Sequence, residues 1–551
     1  MTQARSRDDV IQQDVADLHS LGYAQELLRS MGGFSNFAIS FSIISILTGA
    51  VILYDYGLAW AGTAAVLLGW PLITIFVVAI AASMAEIASA YPTAGGLYYW
   101  ASRMKNKNWG WWTAWLNLIG QFAIVAGINY AAAGFLNATI ITPLLANVGV
   151  DFQNTSTFIG ILNGQLVTMG ILMLIELAMN IAGINLVALL NQVSVWWHIV
   201  IVAAVVLLVF LAGKPDQSGL TLFAVQPLDT AGSWDNNLGV VHLTYGPAIS
   251  YPLVLAFFFS LLQANWTYTG YDASAHVAEE TVGARVASAW GLFLSVAVSA
   301  VVGFVFLLAL TTHLPDLSTL FPASLDDAAT YSQYYFGGGV AVIDILAYNL
   351  GAIGNLLSAG IAIAMAFCGL SSVASAGRML YAFSRDDGLP GSAWLKKVSH
   401  RYRTPANSLT AMVVVAWLFS VAAFIVGTGT AIVIITAIST IFLYAAYGVV
   451  IYLGATTDGW LGERVWSLGR WSKPIAWIAV AWILVLMVLF SWPTSGNISW
   501  PFMVGTVVLL LIYYFGYAKA SFKGPRSMGD SSELTEIERE FEKAAEELSP
   551  A

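Results

Sequence analysis

The chain has 551 residues, 58% of them hydrophobic and 10% charged, with a mean hydropathy of +0.75, a composition that excludes a string of water-soluble domains and defines a polytopic membrane protein. The formal net charge of −9 is local, because Asp530, Glu533, Glu536, Glu538, Glu540, Glu542, Glu546 and Glu547 crowd the C-terminal end. It argues against a nucleic-acid partner and leaves a small-molecule ligand open.

The first residues are polar and lack the apolar core of a secretory signal, so insertion is expected to begin with the first spanning helix. Residues 1–31 form a cytoplasmic arm in which Val15, Leu18, Leu21, Leu27 and Leu28 could line one face of a short interfacial helix over 14–30. Apolar stretches then follow at about 32–56, 60–90, 109–140, 158–182, 185–212, 247–278, 287–313, 343–376, 406–427, 430–454, 474–491 and 500–519. Each is near or above the ~20 residues needed to cross hydrocarbon. The expected fold is an all-α membrane protein of twelve transmembrane helices over 32–520, followed by an acidic tail over 521–551 that can form a helix. A single cysteine, Cys368, inside an apolar run excludes a disulfide framework and a cysteine-based metal site.

Positive charge is retained on the cytoplasmic side. With both termini inside, every Lys and Arg except Lys214 falls in a cytoplasmic segment, while Asp151, Asp216, Asp229, Asp235, Asp316, Asp326 and Asp327 fall in outer loops. The expectation is a multi-pass protein of the plasma (inner) membrane with both termini cytoplasmic. The longest outer loop, about 214–246, reads as irregular.

Two spans are interrupted mid-membrane. The first carries SIISILTG, Ser42 to Gly49, and the sixth carries NWTYTGYDASAH, Asn265 to His276. Five helices separate them, so they belong to units of opposite topology, the pattern of an inverted repeat with its site at the midplane. A break in lipid leaves backbone groups that must face protein, a cavity or a ligand. In the first span, Ser45, Ile46, Thr48 and Gly49 start an outer half-helix, where N–H groups at Ser45, Thr48 and Gly49 would suit a carboxylate. In the sixth, carbonyls near Ala264, Asn265 and Thr267, beside Gly270, would suit an ammonium. Asp272 is a charge that hydrocarbon penalises by about 2.5–3.5 kcal/mol.

The chain resembles the amino acid–polyamine–organocation superfamily, amino acid/choline transporter branch. The resemblance covers roughly residues 20–520 and rests on SIISILTG, on EIASAYPTAGGLYYW (Glu86 to Trp100), on NWTYTGYDASAHVAEET (Asn265 to Thr281) and on GRMLYAFSRDDGLP (Gly377 to Pro390). It implies a five-plus-five inverted repeat with helices 11 and 12 added, alternating access, and transport of amino acids or related amines. Trp266 matches an aromatic position that closes over substrate, with Tyr268 or Tyr271 as further gates. Asp272 matches a position implicated in proton-linked behaviour; alternatively it pairs locally with the backbone or His276. Cys368, Ser371 and Ser372 share a helix face, the spacing with which sodium-coupled relatives present oxygens to an ion.

Glu176 and His198 are rare types at membrane depth, and His198 titrates in a useful range. Glu279 and Glu280 read as solvated or paired with Arg285, Asp344 as a helix cap, and Glu86 as a gate or salt-bridge partner of Arg378. No Walker sequence is present, so ATP is not the expected energy source. The function expected is a secondary active transporter of a small zwitterionic or cationic substrate, 4-aminobutyrate-like, coupled to protons or sodium, with no cofactor, metal or nucleic acid. An exchanger and, more remotely, a membrane nutrient sensor are the alternatives; an intramembrane enzyme would need converging His, Asp or Cys, which the sequence does not offer.

Overall fold

A computed structural model describes residues 6–146, 163–226, 240–242, 250–320, 340–426, 431–491 and 499–548. Of the expected outer-loop carboxylates, Asp151, Asp229, Asp235, Asp326 and Asp327 lie outside the described residues, as does part of the long outer loop.

The protein is all-helical across the membrane. Among the described residues eleven helices are long and apolar enough to span it, and Leu253–Thr267 is a shorter apolar helix that belongs to the sixth. The first span is Gly33–Ile44 followed by Ile46–Ile52, and the sixth is Leu253–Ser260, Leu262–Thr267 and Ala273–His276, so both interruptions fall where the polar stretches placed them. Spans 2 (Gly69–Ala90) and 7 (Ala284–Thr311) pack together, and span 7 also packs on the first. Spans 3 (Lys107–Leu136), 4 (Gly164–Ile181), 8 (Ala352–Arg385) and 9 (Ala406–Val426) form a second packed group.

Three local expectations change. The N-terminal helix is Arg7–Ser20, begun by a Ser6/Asp9 capping box. It does not extend to residue 30; Leu27 is instead buried in a non-helical segment that runs along the protein. Span 8 runs to Arg385, and Asp344 lies inside a separate helix, Val340–Leu350, set off by Gly351 at φ 57°, rather than capping the span. Val240–His242 of the long outer loop, where irregular chain was expected, pairs antiparallel with Ser250–Pro252, which the sixth apolar stretch was expected to include.

The two terminal segments meet on one face. His19 Nε2 lies 2.7 Å from Glu538 Oε1 on the C-terminal helix Ser531–Leu548, and Met528 N–H donates to Gly22 O at 2.8 Å. Asp14 accepts from Gly283 N–H (2.7 Å) and Ala284 N–H (3.2 Å), tying the arm to the start of span 7. Burial raises the Asp14 carboxyl above its usual pKa, with Arg29 acting in the opposite direction.

Candidate functional site

The interruptions of spans 1 and 6 touch. A side chain at Gly49 would place its Cβ 2.7 Å from Thr267 Cα, and one at Gly270 would place it 2.3 Å from Ile43 Cγ2. Each break therefore has a glycine where the other span presses against it. Gly270 also holds φ 82°, a conformation that side chains disfavour. Gln263 Nε2 donates to Ala50 O (3.0 Å) and Ser40 Oγ to Tyr271 O (2.8 Å), so side chains of each span serve backbone of the other.

Ser45 is the break residue of span 1, at φ 31° and ψ 90°. The open N–H groups expected at Ser45, Thr48 and Gly49 are occupied instead: Ser45 N–H donates to Phe41 O, and Thr48 and Gly49 N–H both donate to Ser45 O at 2.8 and 2.9 Å. The turn closes on itself, which leaves Ile46 and its neighbour Leu47 at the positive start of the outer half-helix. Side chains continue the network. Ser45 Oγ lies 2.6 Å from Thr48 Oγ1 and 2.8 Å from His198 Nε2, while His198 Nδ1 lies 2.8 Å from Ser194 O. A carbonyl can only accept, so Nδ1 carries a hydrogen and neutral His198 accepts from Ser45 through Nε2.

In span 6 the carbonyls are also partly engaged. Tyr444 Oη donates to Asn265 O and Tyr268 O, both at 3.2 Å, and Ala264 O accepts from Tyr268 N–H at 3.1 Å. Trp266 is buried, its Nε1 donating to Ser439 Oγ at 3.0 Å, with its ring against Gly127 of span 3. Tyr268 rests on Trp70 with ring centroids 4.7 Å apart and shares a hydroxyl contact with Thr74 at 2.8 Å. Tyr271 Oη and Asn265 Oδ1 are buried and have no hydrogen-bond partner. Both are polar groups left over at the junction of the breaks.

Asp272 is fully enclosed. Tyr447 Oη donates to Oδ1 at 2.8 Å, while Asn117 Nδ2, Gln121 Nε2 and His276 Nε2 converge on Oδ2 at 3.1, 3.3 and 3.2 Å. His276 Nδ1 faces Ala94 O at 3.0 Å. Both ring nitrogens of His276 thus face acceptors, an arrangement that suits an imidazolium beside a carboxylate. Ala94 belongs to the Pro–Thr–Ala–Gly–Gly stretch after span 2. A Cβ at Gly96 would come 2.9 Å from His276 Cε1, so the glycine lets this turn press against the sixth span.

The Glu86–Arg378 pairing does not form. Glu86 Oε1 instead accepts from Arg464 (2.8 Å), Leu468 N–H (2.7 Å) and Ser472 Oγ (2.8 Å). Arg378 grips Glu280 through two donors, one of them Nη2 at 2.9 Å from Oε1, and Arg385 grips Glu279 at 2.9 and 3.0 Å. Glu279 and Glu280 are accordingly buried ion-pair partners rather than solvated, and Arg285 turns to Ser89 O and Glu463 O. Arg378 and Arg385 are two helical turns apart, which puts both on the face of span 8 that meets the end of span 6. Ser371 and Ser372 do not present oxygens to the first span: Ser371 Oγ donates to Asn191 Oδ1 and Phe367 O, and Ser372 Oγ to Gly369 O. Cys368 alone of that trio reaches it, with Sγ donating to Ile43 O at 3.2 Å.

Sequence reasoning placed the tenth span, Ala431–Thr456, but missed its Ser439, Tyr444 and Tyr447, and missed Asn117 and Gln121 on the third. Their signal was available as polar residues four or three apart inside apolar runs, which places them on one helix face.

Two interrupted spans that meet at a buried polar junction define the class as a membrane permease. The chain belongs to the amino acid permease family, whose model matches residues 31–513, within the superfamily that the motifs resembled. It is 32% identical to the amino-acid permease BAT1 of Arabidopsis thaliana over 93% of this chain and 96% of that one. It is 28% identical to a putative polyamine transporter of Candida albicans, covering 94% of this chain and 90% of the other. Against the GABA-specific permease of Saccharomyces cerevisiae it is 25% identical, with 94% and 87% covered. These likenesses support transport of amino acids or related amines by a multi-pass membrane protein.

Proposed function

We propose that the protein is a proton-coupled secondary transporter that imports a small amino acid or related amine, 4-aminobutyrate-like, across the plasma membrane by alternating access. The observation that carries this reading is the direct contact between the two breaks, Gly49 on Thr267 and Gly270 on Ile43. A substrate lodged there would touch both half-helices at once. Its carboxylate would lie toward the Ile46 end of the outer half-helix, and its ammonium toward the Ala264, Asn265 and Thr267 carbonyls, with Tyr271 Oη and Asn265 Oδ1 as further partners. Trp266 and Tyr268 would close over it. The likeness to a permease named for 4-aminobutyrate supports that substrate class.

Spans 1, 2, 6 and 7 would rock as one unit against spans 3, 4, 8 and 9, each unit drawing helices from both halves of the inverted repeat. The Glu280–Arg378 and Glu279–Arg385 pairs tie the two units on the face that carries the termini, so opening that face requires both to part. The placement of Lys and Arg supports that face as cytoplasmic. His198 contributes through Ser45: on protonation its Nε2 would donate rather than accept, reversing the hydroxyl chain at the break. The hydroxyls of Ser371 and Ser372 are committed within their own helix and to span 5 (Ile184–Ala212), so sodium has less support than the proton.

The test is uptake by the purified protein in liposomes, using labelled 4-aminobutyrate, choline and neutral amino acids, with a pH gradient or a sodium gradient imposed separately. Accumulation driven by an inward proton gradient in sodium-free buffer is expected. Flux that needs a counter-substrate inside makes it an exchanger, and flux that follows only sodium refutes proton coupling.

A further inference from the structure

Glu176, in span 4, is a buried membrane carboxyl like Asp272, but its surroundings are unlike those of Asp272. It is 0% exposed, and neither Oε1 nor Oε2 has a hydrogen-bond partner. Its nearest polar neighbour is Asn129 of span 3. A Cβ on Gly369 of span 8 would lie 2.2 Å from Glu176 Oε1 and 2.7 Å from Asn129 Oδ1, so the two oxygens converge on one glycine. Asn129 Nδ2 is committed to Val125 O at 3.1 Å, and Asn129 Oδ1 is likewise without a partner. Two unpaired acceptors pointing at one spot lack a hydrogen between them.

The charges around the site offer no alternative. Span 4 carries no other ionisable residue and span 9 carries none. Within the membrane, the other elements packed on span 4 bring Tyr130 from span 3, His198 from span 5 and Cys368 from span 8, and among the described residues no lysine or arginine is paired with Glu176. An unpaired carboxylate in such a place costs several kcal/mol. Nor is any group of three or more His, Cys, Asp or Glu placed to hold a metal ion among the described residues.

Resting on the proton-coupled reading above, we infer that Glu176 is the residue that carries the coupling proton, held here as a carboxylic O–H directed at Asn129 Oδ1. The site lies next to the break of span 1, because Gly369 adjoins Cys368, whose thiol donates to Ile43 O of that span. When the two units part and water reaches Glu176, the acid loses its proton to that water and leaves a carboxylate. The carboxylate takes a proton back from water on the opposite side, so one proton crosses per cycle.

Two measurements test this. Infrared spectra of the purified protein in lipid at about pH 7 should contain a protonated-carboxyl carbonyl band that is absent from Glu176→Gln and shifted in Asn129→Ala. In sodium-free liposomes Glu176→Gln should keep 4-aminobutyrate counterflow within about twofold while losing about tenfold or more of the accumulation driven by a pH gradient. A wild-type spectrum lacking that band, a Glu176→Gln protein that still accumulates substrate on a pH gradient, or a sodium-driven uptake abolished by the same change each overturns the inference. Should the wild type accumulate nothing on a pH gradient, the proposed function fails instead, and the infrared band still decides the state of Glu176.

Discussion

Asp272 and Glu176 are both buried carboxyls, yet one is surrounded by donors and the other faces an acceptor. Four side chains on spans 3, 6 and 10 converge on Asp272, whereas Glu176 has none. A carboxylate so fully satisfied gains little from taking a proton, because protonation would set an O–H against donors. On the inference above, Asp272 would hold the sixth span while Glu176 moves charge. Asp272→Asn should therefore have the largest effect, since the new amide NH2 would face Asn117, Gln121 and His276, with about 1–3 kcal/mol lost for each donor left unmatched. Counterflow and pH-driven uptake should fall together, and thermal unfolding of the detergent-solubilised protein should come earlier. If Asp272→Asn instead retains counterflow and loses only the pH-driven component, the two carboxyls have exchanged roles.

The next effect sharpens what Asp272 holds in place. Gly270→Ala puts a side chain at φ 82° and 2.3 Å from Ile43 Cγ2, which combines a left-handed backbone cost of about 1–2 kcal/mol with overpacking of about 1–3 kcal/mol. Spans 1 and 6 would be pushed apart at their junction. Substrate affinity, measured by binding to the purified protein, should drop by about tenfold, and adding Ile43→Ala should recover part of it by removing Cγ2, the atom in the clash. Unchanged affinity would mean that the glycine contact packs the helices without shaping the site.

Much of this was legible in the sequence because lipid imposes strong rules: span length, charge asymmetry and polar breaks each have one dominant cause. The twelve spans and the positions of both breaks were readable on those grounds. Partner choice was not. Glu86 could be assigned to Arg378 only by guessing that two residues near one membrane face meet, whereas in the fold Glu86 finds Arg464 and Arg378 finds Glu280. Likewise, Thr48 and Gly49 looked like open donors because sequence cannot reveal that a break of a single residue, Ser45, lets the turn satisfy itself. The same limit hid Tyr447 as the donor to Asp272, since which face of the tenth span meets the sixth is decided by packing. Glu176 stood out as a rare residue type, and its lack of a partner emerged only when the surrounding helices were in place.

His198→Gln separates the two carboxyls from the break itself and should have a smaller effect. Glutamine can still hydrogen-bond Ser45 but cannot titrate. Uptake near neutral pH should stay within about threefold of wild type, with a flatter dependence of uptake on acidic pH. Were His198→Gln to abolish pH-driven accumulation as fully as Glu176→Gln, the proton would have to pass through the Ser45 hydroxyl chain. Glu176 would then be one station on that route rather than its terminus.

The smallest effect is expected where a carboxylate has a partner outside the membrane domain. Glu538 accepts from His19 (2.7 Å) and from Gln25 N–H (2.8 Å) at the meeting of the two terminal segments, but water also reaches it, so the contact is screened and worth about 0–1 kcal/mol. Glu538→Gln retains an acceptor for Gln25 and should leave both uptake and counterflow within about twofold of wild type. Asp272, Glu176 and Glu538 would then form a graded series in which the consequence of losing a carboxylate's charge follows what surrounds it rather than how many contacts it makes. A large loss of uptake in Glu538→Gln, with counterflow preserved, would break that series. It would place the terminal helices in the opening of the Glu279–Arg385 and Glu280–Arg378 pairs, to which Gln25 is already joined through Glu279 O and Arg29.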